Sequence, residues 1–270
     1  MRKPFKITKV IDEGRDIKTF LFDEGVEATP GQFVMAWLPQ IKVEKPLSLS
    51  YASPLGITVK KREISESSFT PTLFGLKEGD KVWMSEPKGN GFPIDKLNSS
   101  EVYLVGGGTG TAPLSFLAER LENSNITSFI GAKSFNQIIF EERFRKHGKA
   151  IIIATEDGSK GEKGLVTDAL KNYENVLSTF SKNRKAVVCG PEKMEYFSAQ
   201  ILREHLNHDD IFISIERYMK CAVGLCGACA FGPYRDCADG PIFTYSQAKN
   251  VPDFGNFRKD RAGVRDFTFS

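Results

Sequence analysis

Residues 101–114 read Glu-Val-Tyr-Leu-Val-Gly-Gly-Gly-Thr-Gly-Thr-Ala-Pro-Leu, and this stretch decides the fold. Residues 101–105 are short and mostly apolar, which suits a buried strand. A glycine turn follows at once. Over 114–121, Leu114, Leu117, Ala118 and Leu121 recur on one helical face. Pro113 suits the first helical turn, where its missing N–H costs nothing. Strand, glycine turn and helix together offer a place for a phosphate at a helix N-terminus. The strict G-x-G-x-x-G pattern is broken, because Thr111 stands where the third glycine belongs. A tight strand-to-helix connection without a ligand fits the loop alone equally well, so its context decides.

Downstream the alternation continues. Strands are expected over 126–131, 149–155, 185–189 and 211–215, with helices over 137–146, 165–170 and 194–206. Thr167 or a residue upstream of it is expected to cap the helix over 165–170. Repeated strand–helix alternation predicts a parallel sheet with helices on both faces. Ligands of such sheets bind at the carboxyl ends of the strands. The glycine loop, a polar loop over 156–164 and Cys189-Gly190-Pro191 all fall at those ends.

The first hundred residues lack this alternation. Short strands are expected over 5–11, 17–22, 32–37, 47–52, 56–61 and 81–85, punctuated by Pro30-Gly31, Pro54, Gly56 and Glu78-Gly79-Asp80. Even spacing of short strands predicts a small antiparallel barrel, and a barrel ahead of a dinucleotide-type domain points to flavin chemistry. Lys45-Pro46-Leu47-Ser48 sets a cation, a rigid proline and a hydroxyl at a strand start. Such a group can hold a phosphate and a ring edge, and a plain turn entering a strand explains it too.

Five cysteines without a secretory leader argue against a disulfide framework. Cys221, Cys226, Cys229 and Cys237 read C-x4-C-x2-C-x7-C, and Cys189 stands apart. C-x4-C-x2-C with a separate fourth cysteine is the plant-type [2Fe-2S] spacing. The loop must curl round two irons, and Gly224 and Gly227 lie where it needs unusual φ, with Ala222, Ala228 and Ala230 adding little bulk. A zinc site, which generally pairs two short hooks, and plain buried thiols are the competing readings.

Composition narrows the classes. Forty per cent apolar residues, with 21 Phe, suffice for a real core and exclude disordered and collagen-like chains. A net charge of +3 with no basic stripe argues against nucleic acid. No apolar leader follows Met1, and no apolar run approaches a membrane span, so a soluble, cytoplasmic protein is expected. His147, His205 and His208 lie in or near charged helical stretches and read as exposed surface residues, so no acid–base machinery is evident. Residues 254–270, with Arg258, Lys259, Arg261 and Arg265, read as a basic tail, solvated or lying over a partner or the cluster. The expected fold class is α+β and multidomain: an N-terminal antiparallel β-barrel over 1–97, an α/β parallel-sheet domain over 98–214 and a small iron–sulfur domain over 215–270.

These motifs together resemble the ferredoxin reductase superfamily. Lys45-Pro46-Leu47-Ser48 is similar to its flavin motif Arg-Pro-x-Ser, with Lys45 keeping the charge but not the bidentate fork. Phe69-Thr70 aligns with a Gly-Thr pair of the second flavin segment. Gly108-Thr109-Gly110-Thr111-Ala112-Pro113 matches the pyridine-nucleotide loop, and Cys189-Gly190-Pro191 with Met194 matches the segment beside the nicotinamide. With the cysteine cluster, residues 156–159 and 164–168, and residues 237–243, the whole chain most resembles the electron-transfer subunits of dihydroorotate dehydrogenase B. The resemblance implies FAD on the barrel at Lys45, Pro46, Leu47, Ser48 and Thr70. It implies NAD at Gly108, Thr109, Gly110, Cys189, Gly190 and Pro191, and [2Fe-2S] at Cys221, Cys226, Cys229 and Cys237. It also implies a partner, an FMN-containing dihydroorotate dehydrogenase catalytic subunit, in a heterotetramer of two of each. Electrons would run from FMN through the cluster and FAD to NAD+, in pyrimidine (UMP) biosynthesis. Subunits feeding NAD(P)H electrons to sulfhydrogenases, sulfide dehydrogenases or transhydrogenases share these parts and remain an alternative, as does a zinc-stabilised binding protein.

Overall fold

The structure, a computed structural model, describes residues 2–61, 69–173, 183–259 and 263–267. Arg261 of the basic C-terminal stretch lies outside the described residues. Strands β1 (Lys3–Gly14), β2 (Ile17–Phe22), β3 (Phe33–Leu38), β4 (Val43–Ala52), β5 (Leu55–Lys60) and β6 (Lys81–Met84) close an antiparallel barrel in the order β1-β2-β5-β4-β3-β6. Side chains alternate along a strand, so every second residue enters the barrel. Phe5 and Ile7 on β1, Val34, Ala36 and Leu38 on β3, Leu55, Ile57 and Val59 on β5, and Val82 and Met84 on β6 form that interior. On β3 the outward residues Phe33 and Met35 are buried as well. They pack against Met219, Ala222, Cys229 and Cys237, far along the chain.

The second unit holds β7 (Glu101–Gly107), β8 (Asn125–Ala132), β9 (Ala150–Thr155), β10 (Glu162–Lys163), β11 (Arg184–Cys189) and β12 (Ile211–Ser214). They lie parallel in the order β10-β9-β8-β7-β11-β12. Helices Val166–Asn172 and Glu192–Leu202 cover one face through Val166, Leu170, Ala199 and Leu202, joined by Tyr103 and Val105. Helices Thr111–Arg120 and Glu141–His147 cover the other through Leu114, Leu117 and Phe144, joined by Val102 and Leu104. The strand order reverses between β7 and β11, which opens a crevice at their carboxyl ends.

Several elements differ from the sequence expectation. The helix expected over 137–146 begins at Glu141, after a 3-10 turn Phe135–Gln137. Phe140, at φ +60°, is left-handed and cannot belong to a right-handed helix. Thr167 does not cap the helix Val166–Asn172. Asp168 does, its Oδ2 accepting from the Leu165 N–H at 2.8 Å. Residues 162–163, expected in a loop, pair with β9 as β10. Beyond residue 215, β13 (Ala230–Phe231) and β14 (Tyr234–Arg235) form a hairpin, and β15 (Ile242–Thr244) adds antiparallel to β12. The segment carrying the clustered cysteines therefore lends a strand to the nucleotide-type sheet. The start of the C-terminal stretch is core, not tail: Phe254 is buried edge-on to Tyr196 and Phe231. His147, His205 and His208 are each half-buried, not exposed. Among the described residues no helix is long and apolar enough to cross a membrane.

Among the described residues, Arg143 and Asn90 are prominent in tying the units. Arg143 donates to Glu119 at 2.8 Å and to the Ser50 carbonyl of the barrel at 3.1 Å, with its guanidinium 3.9 Å from the Tyr51 ring centroid. Asn90, just past the barrel, pairs with Ile242 in both directions at 2.9 Å, and its backbone N–H donates to the Gly240 carbonyl at 2.7 Å. Asn90→Ala leaves the half-buried amide and carbonyl of that docking joint without their partner. The expected loss of stability is about 1–3 kcal/mol, read as a lower denaturation midpoint in urea.

Candidate functional site

The glycine loop and the Cys189–Pro191 turn meet at the crevice between β7 and β11. Gly108–Gly110 forms a 3-10 turn leading into helix Thr111–Arg120, and the Thr111 hydroxyl donates to the Gly108 carbonyl at 2.7 Å. Gly108 sits at φ +54° and faces open space, with nothing within 4 Å of where a Cβ would lie. Gly110 is the reverse case: a Cβ there would lie 2.3 Å from the Cys189 carbonyl oxygen and 2.6 Å from the Gly190 Cα. Met194 seals the two turns from below, its sulfur 2.7 Å from a Cβ placed on Gly107 and its methyl 2.8 Å from one placed on Gly190. Gly108, Thr109 and Gly110 are thus brought together with Cys189, Gly190 and Pro191. An open backbone face beside a helix N-terminus fits the pyrophosphate of a dinucleotide. Cys189 is buried, and burial followed by the nearby Glu195 pushes its thiol well above the ordinary cysteine range. Its burial disfavours the thiolate, the form in which a cysteine acts as a nucleophile.

On the barrel, β4 carries Lys45, Pro46, Leu47 and Ser48 opposite Ala36, Met35, Val34 and Phe33 of β3. Lys45 and Ser48 are exposed, and Pro46 and Leu47 half-buried. A cation and a hydroxyl therefore stand at the barrel surface on a backbone that the ladder holds rigid. Thr70 lies in helix Phe69–Phe74, whose Phe69 and Leu73 enter the barrel core. Both expected flavin segments therefore belong to this one barrel.

The four clustered cysteines stand as two pairs. Cys221 stands beside Cys226, whose backbone N–H reaches the Cys221 sulfur at 3.4 Å. Cys229 stands beside Cys237, whose backbone N–H reaches the Cys229 sulfur at 3.4 Å. Gly224, at φ +75°, donates its N–H to the Cys237 sulfur at 3.3 Å. Backbone donors from Val223 and Cys226 pull the Cys221 thiol down to about 6, whereas burial pushes Cys229 up to about 12. Among the described residues no three Cys, His or acidic side chains gather into one group able to hold a metal ion. Two thiol pairs wrapped in N–H groups suit a two-iron rhomb better than a single tetrahedral ion.

Sequence reasoning missed the residues beneath this arrangement. Arg217 makes a bidentate, buried pair with Glu192 at 2.5 and 3.0 Å, over the Phe231 ring. Glu192 directly follows the Cys189–Pro191 turn, and Arg217 opens the segment leading to Cys221. Glu192 also accepts the Gly255 N–H at 3.1 Å. Glu195 Oε1 accepts the Gly190 N–H at 3.0 Å. A charged residue in a helix or before a cysteine reads as solvated, so the sequence carries no signal for either pair.

Comparison with known proteins agrees with this geometry. Residues 104–200 match the family model of the oxidoreductase NAD-binding domain. Residues 216–249 match that of the iron–sulfur cluster binding domain of dihydroorotate dehydrogenase B. A probable electron-transfer subunit of dihydroorotate dehydrogenase B (NAD+) from Methanothermobacter thermautotrophicus is 37% identical over 96% of this chain and 95% of its own. Its counterpart from Pyrococcus horikoshii is 40% identical over 91% and 90%. Among solved structures, that of an NADH-dependent reduced ferredoxin-NADP oxidoreductase, studied for flavin-based electron bifurcation, is 26% identical. It superposes with a TM-score of 0.79 over 93% of this chain and 92% of that one. A ferredoxin NADP+ reductase from Neisseria gonorrhoeae with bound FAD and NADP is 17% identical. It shares the fold alone, with a TM-score of 0.63 over 78% of this chain and 97% of that one. Arg217→Met would strand the Glu192 carboxylate in the core. Its expected cost is about 3–5 kcal/mol, measured by denaturation of the purified protein.

Proposed function

Because the chain belongs to the family of electron-transfer subunits of NAD-dependent dihydroorotate dehydrogenase B, we propose that it delivers to NAD+ the electrons that a catalytic partner takes from dihydroorotate. The observation that carries this reading is a juxtaposition across one strand. Cys229 and Cys237 pack on Phe33 and Met35 of β3, and these two residues are in register with Ser48 and Pro46 of β4. The thiol site and the barrel site therefore lie one strand apart.

FAD, a [2Fe-2S] cluster and NAD are the cofactors of this reading. A bound flavin exchanges hydride with a nicotinamide and single electrons with an iron–sulfur centre, so it belongs between the two. Lys45, Pro46, Leu47, Ser48 and Thr70 would hold the flavin. Lys45 would meet its phosphates as a point charge rather than a fork. Gly108, Thr109 and Gly110 would receive the dinucleotide pyrophosphate, with Cys189, Gly190 and Pro191 beside the nicotinamide. Cys221 and Cys226 would ligate one iron, and Cys229 and Cys237 the other. The burial of Cys229 and Cys237 excludes water from the side facing the barrel.

The partner is read as an FMN-containing catalytic subunit, assembled two with two in the cytoplasm, for pyrimidine biosynthesis. Leu225 and Val223 support a docking role for the loop between Cys221 and Cys226, since they are 85% and 54% exposed. Apolar side chains bared beside the half-buried Cys221 and the exposed Cys226 suit a protein surface better than water. Leu225→Glu is expected to weaken the association of the two subunits about tenfold, measured by titration of the separately purified partners. The reading as a whole is tested by capturing the tagged chain anaerobically from its own cells. The captured complex is expected to be brown and to reduce NAD+ with dihydroorotate. A brown complex that NADH reduces but dihydroorotate does not would move the chain to another oxidoreductase partner.

A further inference from the structure

The Cys189–Pro191 turn has little of its own to hold it. Gly190 has no side chain, Pro191 has no N–H, and Cys189 points into the apolar face with Ala112 and Leu114. One free donor remains, the Gly190 N–H, and it is taken by Glu195 Oε1 at 3.0 Å. Glu195 reaches back from the first turn of helix Glu192–Leu202 and is 1% exposed. Gly190 is in turn jammed against the glycine loop. A Cβ on it would lie 2.9 Å from the Gly107 carbonyl oxygen and 3.0 Å from the Gly107 nitrogen. Any tilt of the Gly190 peptide must therefore move the loop that faces the crevice.

We propose that Glu195 is the positioning residue of the dinucleotide crevice, fixing the Gly190 peptide and through it the spacing between the Cys189–Pro191 turn and the glycine loop. This rests on the reading that the two turns flank the dinucleotide. The groups facing the carboxyl are Glu192, Glu216, Arg217 and the Cys189 thiol. Burial and then the Glu192 charge push Glu195 well above the usual carboxylate range, opposed by the Gly190 N–H and Arg217. In its neutral form Glu195 accepts from Gly190 through its carbonyl oxygen and puts no charge behind the crevice. As pH rises through that raised pKa, a buried negative charge appears behind a site that takes an anionic ligand.

The test uses the intact complex with its cofactors. NADH-dependent reduction of an artificial one-electron acceptor gives KM and kcat, and the visible spectrum reports flavin and cluster content. Glu195→Leu is expected to raise KM for NADH about tenfold with cofactor content unchanged. Glu195→Gln, a neutral group with the same acceptor oxygen, is expected to restore most of that loss. It should also abolish the rise in KM expected of the natural protein at alkaline pH. The proposal is overturned if Glu195→Gln is as impaired as Glu195→Leu. It is equally overturned if Glu195→Leu loses cofactors and kcat in parallel, which is the mark of a merely structural role. Gly190→Ala separates the two layers of argument. If it raises KM while Glu195→Leu does not, the crevice reading stands and the role of Glu195 falls. If neither moves KM, the assignment of the crevice to the dinucleotide falls too.

Discussion

β3 is buried on both faces, and the seat of the cysteine site on the barrel follows from that constraint. A barrel strand ordinarily keeps one face for water. Here Val34, Ala36 and Leu38 fill the barrel, while Phe33 and Met35 form the floor on which Cys229 and Cys237 rest. The cysteine segment is therefore not an appendage on a linker. It is seated on the barrel by apolar burial and stitched at its far end by β15 into the neighbouring sheet. Asn90 bridges both attachments, since it pairs with Ile242 of β15 from the end of the barrel domain. Long-range electron transfer depends steeply on distance, and a thiol site docked in this way has its distance to the barrel surface set by one strand.

The crevice is governed by the opposite need, a close approach of bare backbone. Gly107, Gly110 and Gly190 are interlocked so that no side chain separates the two strand-end turns. Gly108 is glycine for a different reason, its left-handed φ and its outlook on open space. Four glycines in one small region thus serve two purposes. Three allow contact within the protein, and one leaves room outside it.

The sequence makes the parallel sheet legible because its strands are apolar runs between helices of clear periodicity. It makes the barrel legible because turn residues recur between alternating strands. The glycine loop, the Cys-Gly-Pro turn and the cysteine spacing are each contiguous in sequence, so they too can be read directly. What escapes is whatever depends on contact between distant segments. β10, β13, β14 and β15 are two or three residues long and carry no period. The burial of Phe254 is decided by Tyr196 and Phe231, not by its basic neighbours. Phe140 looks like one more apolar helix residue until its left-handed backbone is seen.

The buried pair Arg217–Glu192 shows why such contacts matter to function. An apolar pair of similar volume would serve stability as well, because burying two charges costs nearly what their attraction returns. What the pair supplies is direction. A guanidinium fork meets a carboxylate bidentately, and here Nη1 and Nη2 each donate to one carboxylate oxygen. Glu192 Oε1 also accepts the Gly255 N–H, so three segments converge on one carboxylate. One carries the turn at the crevice, one leads to the first cysteine, and one is the C-terminal stretch that packs on Tyr196. Leucines in these places could slide past one another, and the turn and the cysteine arm would then lose their common reference point. The charged pair fixes the orientation of the arm relative to the crevice, as the apolar floor of β3 fixes its distance from the barrel.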